Sequence, residues 1–221
     1  MQALLLGGLS AGVWADASER IGMEILTAVE DERIAPGTVV VRYSGVIVFP
    51  LAENLAEAWR EQHGKARRLI LELNSRGGEL KHAKKVIAVL KDIRAAAELK
   101  TVVRAGAICA SACIPVFMQG AERQASGASA WMFHGACPAY GNIPAARPTD
   151  DYVGLLQAAG VATEFLCLLQ QSGYLEKPGE FWLSGYELVH VYNANVITRL
   201  IAPWQPLEAQ PAPFDPQIGP R

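Results

Sequence analysis

Apolar positions along the middle of the chain follow two different periods. Leu69-Ile70-Leu71-Glu72-Leu73 is a nearly continuous apolar run, and it closes on Asn74-Ser75-Arg76-Gly77-Gly78. A run of that length and composition predicts a buried strand over Arg68 to Asn74, ending in a glycine pair. From Glu79 to Ala97 the apolar residues Ala83, Val86, Ile87, Val89, Leu90, Ile93 and Ala97 recur at helical spacing, with the charges on the opposite side. This predicts a long amphipathic helix. Leu51, Leu55 and Trp59 predict a shorter one over Leu51 to Gln62. The stretch Thr38 to Val48 is rich in β-branched residues and broken by Gly45, which predicts a strand pair or one bent strand.

The pattern changes at Ala107-Ile108-Cys109-Ala110-Ser111-Ala112-Cys113, a small-residue segment between apolar Thr101 to Arg104 and apolar Ile114 to Met118. It reads as strand, tight turn and helix, with Ser111 at the helix start and the helix ending near Gly120. Trp131 to His134 reads as a short strand ending in a histidine. An irregular loop from Pro138 to Pro148 follows, then a helical stretch from Asp150 to Gln171, a helix from Leu183 to Val191 and a last strand from Asn195 to Ile201. Strand–helix alternation of this kind implies an α/β fold with parallel strands and right-handed crossovers. Its functional site falls beyond the C-terminal strand ends. Three of those ends carry a glycine pair, a serine and a histidine.

Composition narrows the picture. A length of 221 residues suits one domain with a sizeable core or two very small ones. A net charge of −2 without a basic cluster gives no footprint for nucleic acid. No apolar run approaches the roughly 20 residues needed to span a bilayer. Ala3 to Trp14 has the length of a signal-peptide apolar core, and Ala15-Asp16-Ala17 matches a small-x-small cleavage site. Residues 1–17 are therefore read as a signal peptide, although Met1-Gln2 lacks the usual basic residue, and the protein is expected to work in the periplasm or otherwise outside the cytoplasm. Residues 18–203 are read as the working domain, and 204–221 as a Pro-rich flexible tail. Four cysteines, Cys109, Cys113, Cys137 and Cys167, suit an oxidising compartment and permit three connectivities. Cys167, on the apolar side of a helical pattern, reads as a free buried residue.

Ser111 and His134 supply the parts of an acyl-transfer site. A serine hydroxyl needs a neighbouring base, and a histidine suits that role at neutral pH. A serine near a helix start also meets free N–H groups and the positive end of the helix dipole. Gly77-Gly78 can bring backbone N–H groups close to a ligand, and with Ala112 could serve a tetrahedral oxyanion. Each residue has a plain alternative: a helix N-cap for Ser111, a satisfied strand-end histidine for His134, an ordinary turn for the glycines.

Taken together, Leu73-Asn74-Ser75-Arg76-Gly77-Gly78, the helix after it, Ala110-Ser111-Ala112 and Phe133-His134-Gly135 resemble the proteolytic subunit of the Clp protease. Within that group they look most like the exported, Clp-like proteins of bacteria. The resemblance spans Val39 to Ile201. It implies a ClpP/crotonase-like fold, with repeated ββα units and a twisted, mostly parallel sheet surrounded by helices. It also implies a serine peptidase without a cofactor, acting on a peptide or protein substrate and self-associating into a homo-oligomer through the Asp150-to-Gln171 region. An exported member would have no ATP and hence no ATPase partner.

By position, the resemblance makes Ser111 the nucleophile, His134 the general base, and Gly77 or Gly78 with Ala112 the oxyanion hole. The family's third catalytic residue, an aspartate, corresponds here to Glu180, before Phe181-Trp182-Leu183-Ser184. Arg76 stands where the family has proline. In an exported protein a disulfide from Cys109 or Cys113 to Cys137 would pin the serine turn to the His134 strand. Four rival readings remain. A serine–lysine peptidase would use Lys81, Lys84 or Lys85, all on the charged side of their helix. A crotonase-type hydratase would bind an acyl-CoA. A zinc site could form from Cys109, Cys113, His134 and Cys137. An inactive scaffold would keep the fold alone.

Overall fold

The computed structural model describes residues 22–62, 64–136, 145–176 and 179–201. Nine strands and six helices alternate within them. β1 (Met23–Leu26) leads to β2 (Thr38–Ser44), α1 (Leu51–Glu61), β3 (Arg68–Asn74), α2 (Leu80–Ala96) and β4 (Glu98–Val103). Then come β5 (Ile108–Ala110), α3 (Cys113–Phe117), β6 (Glu122–Ser126) and β7 (Ala130–Phe133). The described chain closes with α4 (Ala146–Ala158), α5 (Thr163–Gln171), β8 (Phe181–Ser184), α6 (Gly185–His190) and β9 (Arg199–Ile201).

The main sheet has six strands in the order β1-β2-β3-β4-β6-β9, all parallel except β1. A second sheet, β5-β7-β8, stands beside its C-terminal edge. Single bridges Ile47↔Gly78 and Ser75↔Cys109 extend this second layer along the ends of β2 and β3. β2, β3, β4 and β6 each continue into a short second-layer segment and then a helix, which is the expected ββα repeat. The mostly parallel α/β architecture matches the expectation.

Apolar faces of α1 and α2 cover one side of the sheet, where Val41, Leu55, Leu69, Ala83, Leu90 and Leu99 are at most 1% exposed. Phe117 of α3 meets Trp131 of β7 edge-on at 4.9 Å, and Phe133 meets Phe165 of α5 at 5.1 Å. These aromatic contacts anchor the second layer to the helices.

Several boundaries differ from the sequence reading. Of the two readings of Thr38 to Val48, a single strand holds, but it ends at Ser44: the antiparallel partner of β2 is β1, too short to stand out in the sequence, and Ile47 only bridges to Gly78. β5 and β6 are additional strands. β4 begins at Glu98, and the last strand shrinks to Arg199–Ile201. The helix after Ser111 is only Cys113–Phe117, with Ala112 in the cap position, so Ser111 is not its N-cap. The Asp150-to-Gln171 helix starts at Ala146, taking Pro148 into its first turn, and divides at Gly160, whose φ of +89° no right-handed helix accommodates. Leu183 and Ser184 belong to β8, and α6 starts behind a capping box between Ser184 and Glu187. Cys167 is exposed rather than buried. The leader, the tail and the 137–144 part of the proline loop lie outside the described residues. Among the described residues no helix is long and apolar enough to cross a membrane.

Phe117 is fully buried, and its carbonyl accepts the Thr101 hydroxyl at 2.7 Å. Phe117→Ala removes the aromatic contact to Trp131 and leaves a cavity. The expected loss is about 3–5 kcal/mol of unfolding free energy, read from urea denaturation; a loss below 1 kcal/mol would show that α3 does not anchor the second layer.

Candidate active site

The parallel pairing of β5 with β7 sets the site. Ile108, Cys109 and Ala110 stand opposite Ala130, Trp131 and Met132. The ladder runs one step further, with the Ser111 N–H donating to the Met132 carbonyl at 2.8 Å. Ser111 therefore leaves its strand beside the residue two before His134. There the chain turns sharply: Ser111 has φ +52°, and its carbonyl accepts the Ile114 N–H at 2.9 Å. A serine in the left-handed region costs about 1–3 kcal/mol and persists only where its surroundings over-determine it. The result is a 2.7 Å hydrogen bond between His134 Nε2 and Ser111 Oγ. Burial pushes the His134 imidazole below the ordinary histidine value, and the Glu180 carboxylate pulls it partly back. The lowered pKa favours the neutral imidazole, the form that can accept a serine proton.

The Asn-Ser-Arg-Gly-Gly segment forms the opposite wall. Asn74 Oδ1 accepts the Ile108 N–H at 3.1 Å, and the Ser75 N–H donates to the Ile108 carbonyl at 2.7 Å, so this segment holds β5 from the other side. The buried Ser75 hydroxyl accepts the Gly77 N–H at 3.1 Å. Gly77 is thus removed from the expected oxyanion hole, because its donor is already used. Its role is close approach: at φ +91°, an added Cβ would lie 2.6 Å from the Ala110 carbonyl oxygen and 2.9 Å from Ser111 Cβ. Gly78 and Ala112 remain as donors, for among the described residues neither N–H has a hydrogen-bond acceptor. Both line the same cleft as Ser111 and His134, a cavity of about 390 Å³ with Leu80, Ala136, Pro148 and Tyr152 on its walls. Helix α3 spans five residues, so the expected dipole contribution is small.

No curated protein and no family model matches the sequence. Among solved structures, a ClpP1 variant from Listeria monocytogenes superposes with a TM-score of 0.56 at 20% identity, covering 73% of this chain and 90% of that one. The chain has a ClpP-like fold.

Within the ClpP-like fold the remaining sequence expectations separate. Glu180 is exposed at the start of β8, near enough to act on His134 through its charge. No hydrogen bond joins the two, and Glu180 Oε2 instead accepts the Trp182 indole N–H at 2.8 Å. Arg76 is exposed. Lys81, Lys84 and Lys85 are exposed and pair with Glu79, Asp151 and Glu53, which leaves no buried lysine to act as base. The disulfide joins Cys109 to Cys113, correcting the expected pairing with Cys137, which lies outside the described residues. Two sulfurs bonded to each other cannot serve as thiolate ligands, and among the described residues no group of metal-binding side chains gathers. Met132, whose carbonyl fixes Ser111, was not a candidate from sequence: a backbone acceptor in an apolar strand carries no side-chain signature.

Gly77→Ala presses a methyl group onto the serine turn at a φ alanine avoids. A displacement of about 1 Å costs on the order of 10²-fold in reactivity. The check is the rate of Ser111 labelling by a fluorophosphonate probe in the folded variant; an unchanged rate would mean that Gly77 does not shape the turn.

Proposed function

We propose that the protein is a serine peptidase that hydrolyses peptide bonds through an acyl-enzyme on Ser111. The carrying observation is the 2.7 Å contact of His134 Nε2 with the hydroxyl of a left-handed serine, beside the unpaired N–H groups of Gly78 and Ala112. In this reading Ser111 Oγ attacks the scissile carbonyl while His134 Nε2 takes its proton. The N–H groups of Gly78 and Ala112 hold the oxyanion, and His134 returns the proton to the leaving amine. Water then attacks the acyl-enzyme with His134 again as base. Glu180 stabilises the transient imidazolium through space rather than by a hydrogen bond. The ClpP-like fold and the order of Ser111, His134 and Glu180 in the chain support this assignment.

The buried Cys109–Cys113 disulfide supports export to an oxidising compartment, in line with the leader-like residues 1–17. Self-association through α4 and α5 belongs to the same proposal. One observation favours an inactive scaffold as the second reading: the Glu180 carboxylate is bonded to Trp182 and leaves the imidazole without a hydrogen-bonded acid.

Labelling with a fluorophosphonate probe separates the two. Wild type is expected to label at Ser111, and Ser111→Ala and His134→Ala to lose at least about 10³-fold. Folded wild type that does not label would favour the scaffold.

Glu180 gives a second test through pH. The base must be neutral, so the reaction rate falls as pH drops through the His134 pKa, below the ordinary value of about 6.5. Glu180→Gln removes the charge that raises that pKa, so the acid limb moves to lower pH. The plateau falls as well, by much less than the roughly 10⁴-fold loss of a hydrogen-bonded triad acid. A pH–rate profile that does not move, with an unchanged plateau, would remove Glu180 from the site.

A further inference from the structure

The nucleophile turn is held in different ways on its two sides, by strand pairing on one and by side-chain burial on the other. Its entering arm, β5, is paired on one edge with β7 and bridged on the other to Ser75. Its leaving arm is α3, a helix of five residues with no side-chain cap and with Pro115 inside it. So short a helix is not stable by its own hydrogen bonds and depends on the burial of its side chains. Cys109 lies in the paired strand arm and Cys113 is the first residue of the helical arm; both are fully buried. Their disulfide closes over Ala110, Ser111 and Ala112. The bridge thus encloses the left-handed serine and the Ala112 N–H, which are the nucleophile and one oxyanion donor of the peptidase reading on which this inference rests.

We propose that the Cys109–Cys113 disulfide is a positioning element of the catalytic turn. It transfers the order of the β5–β7 ladder to the start of α3, and so fixes both the backbone of Ser111 and the Ala112 donor. Without the bond nothing covalent ties the start of α3 to β5 across the turn. Of the two arms, the uncapped helix start is the one that yields. Ser111 is then free to leave the left-handed region, which a serine otherwise avoids. The effect is on reactivity rather than on recognition, since the cleft walls Leu80, Ala136, Pro148 and Tyr152 belong to other segments of the chain than the bridged turn.

The test is a Cys109→Ala/Cys113→Ala variant of the full chain, compared with wild type in fluorophosphonate labelling resolved into a maximal rate and a half-saturating concentration. The proposal expects the maximal rate to fall about 10–10²-fold, with the half-saturating concentration within twofold and the protein folded at 25 °C by circular dichroism. An unchanged maximal rate would overturn it and leave the bond a merely stabilising role. Equal losses in both parameters would overturn it too, since they mean general disruption of the cleft. Where the double-alanine variant does not fold, Cys109→Ala/Cys113→Val restores lost volume; failure of both to fold assigns the bond to folding rather than positioning.

A readout independent of activity keeps the two proposals apart. The Ser111 Cα and Cβ chemical shifts report its backbone region, and they should leave the left-handed range in the variant. If wild type does not label at all, the peptidase reading fails, and these shifts alone decide the positioning role. Shifts that stay left-handed without the disulfide would overturn it.

Discussion

One hydrogen bond organises the reactive end of this molecule: the Ser111 N–H donating to the Met132 carbonyl. It is the last rung of the β5–β7 ladder, and it fixes how far the serine turn projects relative to the strand that ends at His134. Parallel pairing spaces its bonds evenly, and its register is strongly specified where a face is buried. Trp131 and Phe133 are both fully buried. A slip of one residue would exchange them with Met132 and bring polar neighbours inward. The short Ser111–His134 contact is thus a consequence of core packing. Aromatic burial fixes the register, the register fixes the serine, and the serine meets the base.

The long elements were legible because their periods are strong. β3 and α2 agree with their apolar patterns to within a residue or two, since each packs a full face against the core. The short elements were not. β1 has four residues and β5 has three, and pairing partners rather than their own composition make them strands. The same holds for β6, Glu122–Ser126, whose sequence ERQAS has no apolar alternation. Its place between β4 and β9 is a tertiary decision. The division of the Asp150-to-Gln171 stretch was available in Gly160, a residue that costs a helix interior about 1 kcal/mol.

At the site, the sequence candidates stand together, and their hydrogen bonds separate what each is free to do. Ser111, His134, Gly78 and Ala112 come together as their order suggested. Gly77 is different: the buried Ser75 hydroxyl takes its N–H, so one glycine of the pair is a packing device and the other a donor. Only the three-dimensional position of Ser75 separates the two. The cysteine pairing was similarly underdetermined, because spacing of four residues fits a local bridge as well as a distant partner. What decided it was the sharpness of the turn, which brings the Cys109 and Cys113 Cα atoms within 5.3 Å.

Glu180 marks where the geometry departs from a closed triad. A carboxylate hydrogen-bonded to an imidazole both orients the ring and stabilises its charged form. Here the two functions are separated. Orientation of His134 rests on its position one residue beyond β7 and on the Ser111 contact itself, while Glu180 supplies charge from an exposed place beside Trp182. Burial lowers the basicity of His134 at the same time as that charge restores part of it. In the proposed reaction such an imidazole begins neutral and becomes a cation when the serine proton arrives. The cost of that cation falls on a solvent-screened carboxylate, so the arrangement trades strength of assistance for tolerance of geometry. A longer acid such as glutamate is compatible with through-space assistance, whereas a direct hydrogen bond would demand an exact reach from β8.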